Sequence, residues 1–445
     1  MYISFTNKPA PAGRPAPDSS GSAPSGGYSS GGKARRPRGI RTVSSTVVTL
    51  GIVSMLTDIS SESVSAVLPM YITGALGLSV IAFGILDGLY QGVSALVRIA
   101  GGYTSDRSDQ PKWVAFAGYG VAAVARIGLL FASGFATISA VITADRLGKG
   151  LRTAPRDALI TASSKPENLG TSFGVHRMLD NIGAAIGPLL AFAILLIIPD
   201  GYHAIWVASL GFAIIGVVML GLLVPNLRAR RPSPTAPPKR RARFDWKVIT
   251  SGPMRRVLAA AGILGILTIG DGFVYLVLQA RSDFAAQWFP LLYVGTNVAF
   301  VALAIPLGRL ADRIGRARVF VFGHLGLLAA YVTAVLPMAD LAATLLCLAF
   351  LGAFYAATDG VLAALAAQLT TPETRGTGIA AAQTVVAVAR FIAAAGFGLL
   401  WYTFGSDVSL WVVSGLLVVA IPLIAVLLRP HLGAPSPAGE QAVSP

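Results

Sequence analysis

Asp58 and Glu62 stand four residues apart and are the only charges in the stretch 43–73. On a helix that spacing puts both carboxylates on one face. An acid in a partly desolvated cavity can take up and lose a proton near neutral pH, whereas an arginine cannot, so the pair are candidate proton carriers. Asp58 lies too far inside its stretch to be a helix cap. A second set comprises Asp145, Arg146, Lys149 and Arg152, with Arg156 and Asp157 beyond them. At about 100° per residue these six fall within an arc of roughly 140°. A charge at the bilayer centre costs about 2.5 to 3.5 kcal/mol, so that arc must face protein or a water-filled cavity. Within it, Asp145 and Lys149 have the spacing of an internal salt bridge. Arg146 is read as the fixed charge that competes with the proton on Asp58 or Glu62, and Lys149 and Arg152 as cavity lining. A third set holds His176, Arg177, Asp180 and Asn181. His176 and Asp180, one turn apart, make either a pH-sensitive pair or a structural hydrogen bond. Arg177 and Asn181 are candidate cavity residues. Later in the chain the candidates thin to Asp271, Asp359, Gln383 and Arg390, with Asp271 following Leu267-Thr268 much as Asp58 follows Leu56-Thr57.

The elements that must position these residues follow from composition. Of 445 residues, 54% are hydrophobic and 12% charged, against about 25% charged in a soluble domain. The pattern is that of an all-α, multi-spanning membrane protein. Twelve candidate helices have cores near 43–73, 79–104, 112–133, 136–161, 168–198, 203–225, 253–279, 286–308, 318–338, 340–369, 376–402 and 408–429. They are called helices 1 to 12. Cys347 is the only cysteine and the four histidines are scattered, so no disulfide, thiolate metal site or cofactor is expected. The absence of a GxxxxGK[ST] loop and of a soluble domain weighs against a polytopic enzyme or sensor.

Residues 1–42, rich in Pro, Ser and Gly, read as a disordered basic arm; 43–225 and 253–429 as two six-helix bundles; 226–252 as a basic linker; and 430–445 as a disordered tail. The net charge of +15 would suggest nucleic acid in a soluble protein. Here seven basic residues lie in the arm and eight within 226–250, while Arg281 alone falls in a loop on the opposite face. That asymmetry places both termini in the cytoplasm, makes the charge topological and leaves no nucleic-acid partner to infer.

The halves repeat. Asp106-Arg107 and Asp312-Arg313 are separated by 206 positions, as are the segments beginning Pro166-Glu167 and Pro372-Glu373. A tandem of parallel bundles explains both.

On these residues the chain resembles the major facilitator superfamily over 43–429. The loop signature of that family is matched throughout by Gly308-Arg309-Leu310-Ala311-Asp312-Arg313-Ile314-Gly315-Arg316. The first copy keeps Gly102, Asp106 and Arg107 but has Asp109 and Gln110 where Gly and a basic residue are usual. Arg146, Lys149 and Gly150 are similar to the fourth-helix pattern, and Gly174, Gly183 and Gly187-Pro188 to the fifth-helix motif of proton-driven exporters, whose closing Gly-Gly is Ala191-Phe192 here. The resemblance implies two bundles related by a pseudo-two-fold axis. It also implies conformational latches in which Asp106 points at the start of helix 11 (Gly376, Thr377) and Asp312 at the start of helix 5 (Gly170, Thr171), where a helix dipole favours a carboxylate. Arg156 and Asp157 would lie against the signature of their own half.

The expected function is therefore that of a monomeric secondary transporter of the cytoplasmic membrane, with a small-molecule substrate, protons and the lipid bilayer as its partners. Proton-coupled efflux is the first reading, on the helix 5 motif. The alternative, proton-linked uptake or exchange of an organic anion, rests on the positive charge of Arg146, Lys149 and Arg152.

Overall fold

A computed structural model describes residues 43–108, 110–226, 249–371 and 374–429. The arm, most of the linker and the tail lie outside these residues, as do the side chains of Asp106 and Arg107 and the surroundings of Gly102. The described residues are helical, with no strand, and form twelve spans: α1 (Ser45–Ala75), α2 (Val80–Ser108), α3 (Pro111–Phe131), α4 (Phe135–Ser163), α5 (Leu169–Ile197), α6 (Tyr202–Leu223), α7 (Gly252–Ser282), α8 (Pro290–Ile314), α9 (Arg316–Val335), α10 (Asp340–Gln368), α11 (Arg375–Phe404) and α12 (Ser406–Leu427). Ten are long and apolar enough to cross a membrane by themselves. The other two are α2, whose described apolar part is Val80–Val93, and α4, which carries the charge cluster.

Both halves pack by one pattern. In the first half α1 lies on α5 and α6, and α4 on α2 and α3; in the second half α7 lies on α11 and α12, and α10 on α8 and α9. The contacts between halves, α2 with α11 and α5 with α8, exchange under the same two-fold relation. Six crossings return the chain to its starting face, so the ends of both bundles share one face of the molecule. Toward the opposite face, aromatic rings join the halves: Phe83 meets Phe273 edge-on at 4.7 Å, and Phe192 lies 5.3 Å from Trp288.

Three helices depart from the continuous spans predicted by apolar periodicity. α1 continues past Ser65 through a short turn and a π-helical segment, Tyr71–Ala75. α7 stops at Ile266 and restarts at Asp271. The freed Ile269 N–H donates to Tyr331 Oη at 2.9 Å, and Thr268 Oγ1 donates back to Leu264 O, which is how a helix can open inside an apolar interior. α10 breaks at Asp359–Gly360, where Gly360 has φ +80°. The signature residues Gly308 to Ile314 are the last turns of α8 rather than loop, and the chain turns at Gly315, φ +102°.

Gly183 and Gly187 lie in the α1–α5 contact. A Cβ on Gly183 would stand 2.3 Å from Met55 O, and one on Gly187 would stand 2.8 Å from Ser63 N. Gly174 has open space around it. Two of the fifth-helix glycines thus bring α1 backbone to α5 backbone, which sets how closely the acidic face of α1 approaches its neighbours. Gly183→Val should push these helices apart at a cost of about 1 to 3 kcal/mol, measured as a fall in melting temperature of the detergent-solubilised protein; an unchanged melting temperature would contradict the contact.

Candidate functional site

The charges of α4 are all met by protein, but not equally closely. Asp145 is the fixed point. Its Oδ1 accepts from Arg126 Nη2 of α3 at 2.9 Å and its Oδ2 from Arg146 Nη2 at 2.5 Å, with the Arg126 and Asp145 side chains each 5% exposed. Arg126 also donates to the hydroxyls of Ser60 and Ser61 at 3.3 Å, which ties α3 to α1. Arg146 covers the ring of Tyr90 at 3.7 Å, and Tyr90 Oη is hydrogen-bonded to Ser65. Here a guanidinium satisfies a carboxylate on one side and an aromatic face on the other.

Correction is needed at two points. Asp145 does not bridge to Lys149, because the planar fork of Arg126 from the next helix and the adjacent Arg146 occupy both its oxygens. Arg146 is likewise held by Asp145, so the cations paired with the α1 acids are others: Lys149 Nζ lies 3.7 Å from Glu62 Oε1, and Arg152 Nη2 3.6 Å from Asp58 Oδ1. These distances exceed those of direct hydrogen bonds. Arg152 lies over the ring of Tyr119 at 4.4 Å, with its Nη1 buried and unpartnered. The Lys149 and Glu62 side chains are 34% and 28% exposed, so this pair is far more open than the one at Asp145.

α5 completes the group. Arg156 binds Asp157 at 3.0 Å, approaches Asp180 at 3.9 Å and donates to Ser54 Oγ at 3.3 Å. Asp180 of α5 and Asp58 of α1 are close enough to interact electrostatically, so two acids share this space with Arg152 and Arg156. His176 is buried with neither ring nitrogen hydrogen-bonded, so it does not form the expected bond to Asp180. Arg177 is half-buried and Asn181 exposed. The structure thus gathers Asp58, Glu62, Lys149, Arg152, Arg156 and Asp180 between α1, α4 and α5, and it adds Arg126, Tyr90 and Tyr119, which sequence reasoning missed.

The second half supplies a smaller set. Asp271 begins the second piece of α7 and accepts from Tyr355 Oη at 2.5 Å; Arg390 lies 5.8 Å from the Tyr355 ring. Asp359 is exposed at the α10 break, and Gln383 is half-buried in α11. Asp312 and Arg313 are exposed; Asp312 accepts from Arg316 Nη2, one turn on, at 3.2 Å.

This fold agrees with that of known proteins. The model of the Major Facilitator Superfamily matches residues 50–296 and 272–445. The chain belongs to the major facilitator superfamily. Among sequence relatives of this superfamily member, an uncharacterized MFS-type transporter from Methanocaldococcus jannaschii is 29% identical over 86% of this chain and 96% of its own length. Among solved structures, the nucleoside transporter NupG superposes with a TM-score of 0.72 at 13% identity, covering 87% of this chain and 100% of that one. The human organic anion transporter MFSD10 gives 0.59 at 16% identity, covering 85% and 99%. The superfamily member is accordingly a multi-pass membrane transporter that works by alternating access, and not an enzyme.

Breaking a buried pair leaves a charge uncompensated. Asp145→Asn, which strands Arg126 and Arg146, should cost about 3 to 5 kcal/mol and lower the melting temperature. Adding Arg126→Met should recover part of the loss. A single variant as stable as the parent would show that Asp145 is not the fixed point.

Proposed function

We propose that the protein carries out proton-linked uptake or exchange of a small organic anion, rather than efflux. The observation that carries this reading is the loose Lys149–Glu62 pair, 3.7 Å apart with side chains 34% and 28% exposed. With Glu62 ionised, Lys149 is neutralised by its neighbour. A proton on Glu62 cancels that attraction and leaves the ammonium free for an anionic group of the substrate, so anion and proton bind together. Asp58 and Asp180 lie behind the pair, with Arg152 and Arg156 beside them. The tight pairs at Asp145 take no part in exchange and hold α4 in place.

Direction is the weaker half of the efflux reading. Gly183 and Gly187, on which it rested, serve helix packing. NupG and MFSD10 carry small organic substrates by their names, nucleosides and organic anions, which supports the substrate class. The aromatic contacts between halves lie away from the face bearing the bundle ends. With both termini cytoplasmic, this conformer is closed outside and able to open inward. A monomer suffices on this reading, since α1, α4 and α5 of one bundle supply the charged groups of the site.

Purified protein in liposomes, offered a panel of small mono- and dicarboxylates, should acidify the lumen as it takes up its substrate. Glu62→Gln keeps Lys149 released, so substrate exchange should survive while uphill uptake driven by a pH gradient is lost; Lys149→Met should lose both. Uphill uptake by Glu62→Gln at the parent's pH dependence would overturn the proposal.

A further inference from the structure

A second carboxylate system lies at the contact between the halves, apart from the α1–α4–α5 cluster. Asp87 of α2 is the acid that the first half contributes to it; Gly270 and Asp271 of α7, Tyr355 of α10 and Arg390 of α11 come from the second half. Asp87 Oδ2 is buried and has no hydrogen-bond partner. It points at the break in α7, where a Cβ on Gly270 would stand 2.1 Å from it. Gly270 has φ −65° and ψ 146°, a conformation open to any residue, so glycine is needed there for the approach of Asp87 and not for backbone freedom. The pocket that Asp87 and Gln91 share with Thr268, Gly270, Tyr355 and Arg390 has a volume of only about 10 Å³, room for about one water.

The groups facing Asp87 do not neutralise it fully. Asp271 is a second acid, held by the Tyr355 hydroxyl at 2.5 Å. Tyr293 approaches from α8. Arg390, the single cation of this group among the described residues, is turned toward the Tyr355 ring, and its Nε is unpartnered as well. Two ionised carboxylates against one guanidinium would leave a net charge buried in the membrane interior, which is unfavourable unless the excess is removed.

We propose that Asp87 is a second proton-binding site, distinct from the α1 carboxylates, and that a proton there closes the two halves on one another at the face opposite the bundle ends. In the closed form the carboxylic acid removes the excess charge. When the halves separate, Asp87 leaves Gly270, is hydrated and ionises. A proton bound more tightly by the closed form shifts the population toward closure as pH falls. None of this depends on the cargo, so it can be tested without substrate and fails or stands separately from the anion reading.

The test is a distance measurement by pulsed electron spin resonance. Labels go on Ser133→Cys, in the exposed α3–α4 turn of the first half, and Met338→Cys, in the exposed α9–α10 turn of the second, in a Cys347→Ser background. Both turns lie on the face in question. In sodium-free buffer the short-distance population should rise several-fold between about pH 8 and about pH 5. Asp87→Asn, which mimics the protonated acid, should hold the short distance at both pH values. Gly270→Ala, which fills the space taken by Oδ2, should hold the long distance at both; it also keeps the proposal testable if Asp87→Asn does not fold. A parent-like pH response in either variant would overturn the proposal, and so would closure driven by added sodium at constant pH.

Discussion

A charge inside a bilayer must find its counter-charge within the protein, and α4 brings six of them. The structure meets that constraint by grading the pairs. At Asp145 the contacts are 2.5 and 2.9 Å, almost wholly buried, and involve guanidinium forks. Around Lys149, Arg152 and Arg156 the contacts to α1 and α5 lengthen to 3.6–3.9 Å. Tight pairs resist separation and give α4 a fixed place against α3 and α1. Loose pairs have room to be remade by a proton or an anion. Both sit on one helix because one polar arc must serve position and chemistry together.

The two bundles share a packing plan and differ in how they use it. In the first half, α1 carries its acids mid-helix, and glycines on α5 let the backbones touch. In the second half, α7 unwinds at the corresponding depth, and Asp271 heads a new helix, held by Tyr355. The first half is therefore suited to exchange of charge with the cavity. The second offers a break in a helix to which a carboxylate of the first half can dock. Rocking one half on the other would break the second contact directly, because α2 carries Asp87 against Gly270 of the other bundle while its Tyr90 covers Arg146 within its own.

Much of this can be read from residue order alone. The 206-residue offset, the twelve apolar stretches and the acidic face of α1 are local or periodic features, and local features survive folding. Pairing across helices is not local. The Asp145–Lys149 bridge follows from spacing on one helix, and that spacing carries no information on Arg126, a lone charge in the apolar run of α3 that reaches the same carboxylate. Asp87 is missed for the same reason: a single acid among apolar residues on α2, whose partner is a gap in the backbone of another bundle. The break at Leu267–Gly270 is hidden because its hydrogen bonds are satisfied by Tyr331, 62 positions away. His176 shows the reverse limit, since its spacing from Asp180 suggests a bond that the fold does not make.

The central claim is that an α1 carboxylate takes a proton as α4 releases its lysine to an anion. Proton uptake on ligand binding measures this directly: anion is added to detergent-solubilised protein in lightly buffered solution with a pH indicator. The account predicts about one proton taken up per anion bound near neutral pH, and none in Glu62→Gln, which should still bind. Anion binding by the unmodified protein with no proton uptake across the range from about pH 6 to about pH 8 would contradict it.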